Sequence, residues 1–368
     1  MKNNNINLFK KIVKILDKND YQKIQYFPSN FSFLAVGKEF ENILNIFLKK
    51  KHLLFYYSLF PKIYLIFLNN KTQLLRKIFY LNESFSKQEI EFFFKKKEIR
   101  SLIKSGIILQ KKEILRLNFS FVPYKKFIFV RDQSSVYKGW FNPKKLLNKV
   151  WMGSDTIIFL RFLEKYLKRK NFKKALEIGS GTGTVILSLS QNFEINEAVD
   201  INSKAVKITF LNAKINNVEN FKIHKSNLYQ KIKGKYDLII SNPWFVDLRK
   251  GGLEVLPKII VKLDKYLEDN GTCLLLMNSF FKNKKDTLEE YFLNILKKKK
   301  YDVNLFSNGV FYEFERNKDY KKNAVEYAIS YNVEIKKRGS GILTKYHPNL
   351  IRRFRDKIFL KFFSFKKN

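Results

Sequence analysis

The chain has 368 residues, 45% of them hydrophobic, which excludes a wholly disordered polymer and leads us to expect two or more folding units. One cysteine (Cys273) and three histidines exclude a disulfide framework and argue against a zinc site; with no secretory signal behind Met1, and with the greasiest run, Leu53 to Leu68, broken by Pro61 and Lys62, the expectation is a reduced, metal-free, cytoplasmic protein without a membrane span. The formal net charge of +39 fits a polyanionic partner such as nucleic acid, although an AT-rich coding bias would enrich lysine together with Asn, Ile, Phe and Tyr.

Residues 1–149 carry no glycine-rich motif and are expected to form an N-terminal substrate-recognition domain. Within them Ser86 and Glu89 have capping-box spacing and should start a helix. A second helix around Glu98 to Ser105 places Ile99, Leu102 and Ile103 on one face, and Gly106 is a suitable stop. Ile107 to Leu109, a charged turn at Lys111-Lys112-Glu113, and Ile114 to Val122 then predict a β-hairpin. Helix, helix and hairpin over 86–131 have the outline of a winged helix. Two readings stand for it: a module that lays a basic helix on nucleic acid, and a packing module.

From Asp155 the pattern changes to an alternation of helices and strands. Ile157 to Leu167 is an amphipathic helix capped by Ser154 or Asp155. Strands are predicted at Ala175 to Ile178, Ala198-Val199, Phe221 to His224, Tyr236 to Ser241 and Cys273 to Met277. Helices fall between them at Val185 to Leu189, Lys204 to Ile215 and Ile259 to Leu267. This order argues for an α/β fold with a doubly wound, mostly parallel sheet. Asp302 to Ser307 and Val310 to Glu315, joined by Asn308-Gly309, predict an antiparallel hairpin closing the sheet. Residues 316–368 are expected to be a basic extension, in which Ile351 to Arg355 either docks on the protein or touches an anionic partner.

Two motifs carry the chemistry. Glu177-Ile-Gly179-Ser-Gly181-Thr-Gly183 follows a strand; its glycines allow a tight turn and a close approach of backbone to a ligand, where side chains would collide. Asp200 ends the next strand, seventeen residues after Gly183, where an acid that binds ribose hydroxyls belongs. Thr184 stands where a dinucleotide fingerprint would have glycine. The second motif, Ser241-Asn242-Pro243-Trp244-Phe245, closes another strand. The Asn242 side-chain oxygen and the Pro243 carbonyl could accept both hydrogens of a conjugated amine and make its nitrogen more nucleophilic, while Phe245 stacks on the flat group.

In this order, the two motifs resemble those of class I S-adenosylmethionine (SAM) methyltransferases with an Asn-Pro-Pro-aromatic signature, the methyltransferase small-domain group. That group is similar to ribosomal RNA guanine-amine and release-factor glutamine methyltransferases. The resemblance covers roughly 150–315 and implies a Rossmann-like catalytic domain there. Its sheet ends in a strand running against the others, and the Val150-to-Ser154 segment would lead into a loop over the cofactor. It further implies SAM bound by Glu177, Gly179, Gly181, Gly183, Asp200, Ile201 (against adenine) and Asn227 (on the adenine amino group), with Asn242, Pro243, Trp244 and Phe245 at the methyl acceptor. Trp244 departs from the signature, which has a second proline there. The activity implied is N-methylation of an exocyclic base amine, in RNA first of all; a protein glutamine amide is the alternative acceptor, and a SAM-retaining, non-catalytic binding module is a further one. Cys273 reads as core and His224 as a surface residue near a strand end. Gly251-Gly252 reads as a lid hinge or a plain connection.

Overall fold

The computed structural model describes residues 3–23, 70–132, 149–243, 255–283, 285–311 and 327–346. The chain divides into two compact units. One takes Met1–Ile157, Gly181–Leu187 and Lys204–Glu219; the other takes Ile158–Ser180, Ser188–Ser203 and Asn220–Asn368.

In the first unit the helix Asn3–Lys18 buries Phe9, Ile12 and Leu16, a spacing that puts them on one face. Phe9 meets Phe119 edge-on at 5.4 Å between ring centres, and the buried Tyr21 hydroxyl donates to the Phe121 carbonyl at 2.6 Å. The capping box forms as expected: Glu89 N donates to Ser86 Oγ (3.2 Å), Ser86 N donates to Glu89 Oε2 (2.7 Å), and the helix Lys87–Glu91 follows. The next helix, Lys96–Lys104, buries Ile99 and Leu102. Gly106 then takes φ +75°, a conformation costly for other residues, and Ile107 N closes on the Leu102 carbonyl at 3.1 Å.

Strands β1 (Ile108–Lys111) and β2 (Ile114–Leu117) make the expected hairpin, and Phe85 adds an antiparallel bridge to Leu115. The single strand expected over 114–122 breaks at Asn118. Its backbone N–H donates to the Ile107 carbonyl (2.8 Å) and its side-chain amide to the Gly106 carbonyl (3.2 Å), which turns the chain away. Strand β3 (Phe119–Tyr124) pairs instead with β4 (Phe127–Asp132).

Among the described residues the second unit is built on one sheet of nine strands: β5 (Lys174–Ile178), β6 (Ile195–Asp200), β7 (Phe221–Lys225), β8 (Tyr236–Ser241), β9 (Leu267–Lys282), β10 (Lys285–Asp286), β11 (Asp302–Phe311), β12 (Tyr327–Lys336) and β13 (Leu343–Tyr346). Across the sheet the order is β13-β11-β12-β9-β8-β5-β6-β7, with β10 folded back on β9. Among the described residues only β12 and the short β10 run against their neighbours. This is the expected doubly wound, mostly parallel α/β sheet, with one reversed strand near its end. The winding reverses between β5 and β8, the switch point where such sheets open a crevice at the carboxyl ends of their strands. Leu176, Ile239, Cys273, Leu275, Val303 and Val333 pack in the core below it. Burial raises the Cys273 thiol pKa, consistent with a core role.

The closing hairpin differs from the expectation. Asn308-Gly309 is not its turn: Asp302–Phe311 is one strand with a bulge between Ser307 and Gly309. An extra residue is absorbed in the ladder instead of reversing the chain. Asn308 is held by a cross-strand bond from the Asn332 amide to its side-chain oxygen, at 2.8 Å. The antiparallel partner is β12, so the sheet takes its last strands from residues expected to belong to the basic extension, and runs to Tyr346 rather than to 315. Ile351 to Arg355 lie outside the described residues. The helix expected over 259–267 is two short ones, Val255–Ile260 and Leu263–Tyr266, and Leu267 already starts β9.

Candidate active site

In the second unit the carboxyl ends of β5, β6, β7 and β8 bring Glu177, Gly179, Asp200, Ile201, Asn227, Asn242 and Pro243 to one edge of the sheet. Glu177 is 2% exposed, paired in register with Ala198 on one side and Ile240 on the other. It stands on β5, one of the two strands that flank the switch point. After β5 the backbone folds over β6: Gly179 N and Ser180 N both donate to the Val199 carbonyl, at 2.8 and 3.1 Å. Gly179 has φ +79°, and a Cβ there would meet no atom within 4 Å. Its requirement is therefore conformational, and its open face gives a ligand direct access to the backbone.

Asp200 ends β6, with Oδ1 accepting from Asn202 N at 2.8 Å, an Asx turn that fixes the carboxylate. The next residue, Ile201, is 65% exposed, an apolar side chain held at the surface beside that acid. Asn227 is exposed in the turn after β7, which Ser226 organises: its hydroxyl donates to the Leu228 carbonyl (2.8 Å) and accepts from Lys231 N (3.0 Å). His224 is paired with Glu197, Nε2 to Oε1 at 2.9 Å, and stays partly exposed, in keeping with a surface residue.

Ser241, the last residue of β8, is fully buried, and its hydroxyl donates to the Ile178 carbonyl of β5 at 2.7 Å. This side-chain bond ties the strand that carries Asn242 to the strand that opens the glycine turn. Asn242 is half-buried and Pro243 buried. Trp244, Phe245, Gly251 and Gly252 lie outside the described residues.

The first unit holds the rest of the glycine turn. Gly181 and Gly183 have φ +54° and +75°. A Cβ on Gly183 would stand 2.5 Å from Thr209 Cγ2, so of the collisions expected along the turn, this is the one with a protein wall; the nearest atom to a Cβ on Gly181 is the Trp151 carbonyl oxygen at 3.7 Å. The helix Ser203–Ile215 grips the turn through polar side chains that the sequence reading passed over. Thr209 Oγ1 donates to the Gly181 carbonyl (3.1 Å), and the fully buried Asn212 amide donates to the Thr182 carbonyl (2.8 Å).

Asn212 also exchanges bonds with Val130 N and O at 2.8 and 2.9 Å, and Asn216 does the same with Ile128 N and O at 2.9 Å each. Two side-chain amides thus serve β4 as a neighbouring strand would. The signal in the sequence is polar Thr209, Asn212 and Asn216 at helical spacing among buried Ile208, Leu211 and Ile215. The segment leading into the helix Ser154–Leu167 is clamped as well. The buried Arg131 donates to the Met152 carbonyl (2.6 Å) and stacks 4.8 Å over the Trp151 ring, while Asp132 accepts from Val150 N (2.8 Å) and pairs with Lys204 (2.6 Å).

Among the described residues no group of His, Cys, Asp and Glu side chains could hold a metal ion, and no helix is long and apolar enough to cross a membrane.

Comparison with known proteins places the chain among methyltransferases. Residues 154–304 match the family model of the methyltransferase small domain. The chain is 33% identical over 144 residues to a protein of Methanocaldococcus jannaschii named "Putative protein N5-glutamine methyltransferase", covering 34% of this chain and 71% of that one. It is 30% identical over 184 residues to the release factor glutamine methyltransferase of Borreliella burgdorferi, covering 49% of this chain and 54% of the relative. It is 36% identical over 120 residues to the ribosomal RNA small subunit methyltransferase C of Buchnera aphidicola, covering 29% and 35%. The chain thus spans most of the first relative and about half or less of the other two.

Proposed function

The chain belongs to the methyltransferase small-domain family, whose methyl donor is S-adenosylmethionine, and from that premise we propose that it methylates an exocyclic amine of a base in RNA. The observation that carries the reading is the placement of Asn242-Pro243 at the end of β8, tied by Ser241 to the strand that opens the glycine turn.

The residues at the sheet edge fit the donor. Gly179 opens the backbone to its amino-acid part, Glu177 accepts from its amine or orients the loop, and Asp200, already oriented by Asn202, accepts from the ribose hydroxyls. Ile201 offers an exposed apolar face to the adenine, with Asn227 within the same edge for its amino group. When bound, the donor supplies a methyl group carried on a positively charged sulfur. The chain's own work is then to hold the acceptor nitrogen. Asn242 Oδ1 and the Pro243 carbonyl each accept one hydrogen of a planar amine, which weakens conjugation of its lone pair and points it at the methyl group. Phe245 and Trp244 supply flat surfaces for the acceptor group.

The net charge of +39 favours a polyanionic acceptor and supports RNA. A second reading, a glutamine amide in a protein, draws on two of the relatives above, which are named glutamine methyltransferases. An amide NH₂ presents the same planar hydrogens. The test is to treat RNA, DNA and protein from cells lacking the gene with purified enzyme and methyl-labelled SAM. Label that ribonuclease removes, and that deoxyribonuclease and protease leave, supports the proposal. Label that only protease removes overturns it.

A further inference from the structure

Within the first unit the elements over 70–117 follow winged-helix order. The helix Asn70–Leu75 continues into a π turn, Arg76–Tyr80; Phe85 forms a single bridge; two helices follow; and β1 and β2 close the hairpin, with Phe85 bonded to Leu115 as its third strand. Two surfaces of this module face solvent. On the helix Lys96–Lys104 the side chains of Lys96, Lys97, Arg100 and Lys104 are exposed. At about 100° per residue they fall within one stripe about 100° wide, on the side away from buried Ile99 and Leu102. The helix's own acid, Glu98, is drawn off by Lys11 and the Lys95 backbone N–H, and these interactions lower its pKa. The stripe therefore keeps its charge.

The hairpin presents the second surface. Ile108, Leu115 and Leu117 turn inward, whereas Leu109, Lys111 and Ile114 share the outer face. Leu109 is 45% and Ile114 57% exposed, two branched aliphatic side chains in water beside a basic turn at Lys111-Lys112. A packing module would bury such residues; a basic stripe beside an apolar, lysine-flanked wing instead complements a polyanion that also carries flat apolar groups.

We propose that this helix-and-wing face is the enzyme's RNA-docking surface. The stripe on Lys96–Lys104 neutralises backbone phosphates, and Leu109 and Ile114 rest against unstacked bases of a loop. RNA fits better than duplex DNA because a stem–loop exposes base faces next to closely spaced phosphates, whereas a DNA duplex keeps its base faces stacked. The choice of RNA as occupant rests on the proposed function, but the test of the surface reads binding and does not depend on where the methyl group goes.

The test uses the full chain, a fluorescent RNA stem–loop and a DNA duplex of matching length. Replacing Lys96, Lys97, Arg100 and Lys104 together by Ala removes four charges. A control replaces Lys168, Arg169, Lys170 and Lys173, also exposed, and removes the same number from the other unit. Alanine in an exposed helix keeps helical propensity, so the variant should fold, which its circular dichroism and SAM affinity by calorimetry would verify. We expect the helix variant to lose about tenfold or more in RNA affinity and to flatten the slope of log affinity against log salt by about 3, at about 0.7 to 0.9 per phosphate contact. The control should change either quantity far less. Ser substitutions at Leu109 and Ile114 should weaken RNA binding while leaving the salt slope unchanged.

Equal losses in both four-residue variants would overturn the proposal, because they would report bulk charge alone. Unchanged RNA binding in the helix variant, or tighter binding to the DNA duplex than to the stem–loop, would overturn it as well. Loss of RNA binding with SAM affinity intact supports the surface even if labelled methyl groups never enter RNA. In that case the acceptor proposal fails and the docking surface stands.

Discussion

The glycine turn after β5 and the Asn-Pro end of β8 sit on adjacent strands, yet they are made in opposite ways. The turn is a backbone device. Its glycines take φ between +54° and +79°, and its carbonyls are gripped by Thr209 and Asn212. The end of β8 is a side-chain device, a half-buried amide on a strand anchored by one hidden hydroxyl. Faults in the first should therefore appear in folding and donor binding, and faults in the second in turnover. Substitutions at four positions test that division.

Asn242→Ala should cause the largest change. Loss of a group that stabilises the reacting atoms lowers turnover by about 10²–10³-fold, while SAM affinity measured by calorimetry stays within about twofold. A parallel fall in SAM affinity would break the division between the two devices. Gly183→Ala comes next. The added Cβ meets Thr209 Cγ2 in a left-handed backbone, and overpacking plus strain should cost about 2–4 kcal/mol, visible as a lower thermal midpoint. If the variant melts like the parent, the wall at Thr209 does not constrain the turn.

Asp200→Ala removes a charged acceptor and should weaken SAM binding by about 10- to 100-fold, on the scale of a hydrogen bond to an ionised group, with little effect on the midpoint. Saturating SAM should restore much of its turnover, and failure to do so would move Asp200 from binding to chemistry. Ser241→Ala should have the smallest effect, about 1 kcal/mol of stability for one buried hydrogen bond. Because that bond joins the two strands, turnover should fall more than SAM affinity does, and Ser241→Thr should recover part of it. An equal effect on both would make the hydroxyl merely structural.

Much of this was legible in sequence because it depends on local rules. The capping box at Ser86 forms where the spacing put it, and the parallel strands fall where short apolar runs stand between amphipathic helices. The glycine turn and Asp200 also end their strands as read. What failed were decisions that local rules cannot make. Asn308-Gly309 is a strong turn signal, but cross-strand partners on Ser330 and Asn332 absorb it as a bulge within β11. The run over 114–122 is rich in β-forming apolar residues on both sides of Asn118, and the bonds of Asn118 to Gly106 and Ile107 divide it. Ser241 resembles any serine before a turn until the Ile178 carbonyl stands 2.7 Å away.

The sequence by itself determined the fold class, the glycine turn after β5, Asp200 at the end of β6 and the Asn-Pro pair after β8, because glycine conformation, strand alternation and motif spacing are properties of neighbouring residues. The tertiary structure decided which strand closes the sheet, that β12 and β13 come from residues beyond 315, that Thr209 and Asn212 hold carbonyls of the glycine turn, and that Ser241 ties β8 to β5. Those outcomes depend on partners tens of residues away, and a buried amide or hydroxyl declares its role only when the carbonyl it must satisfy has been brought beside it.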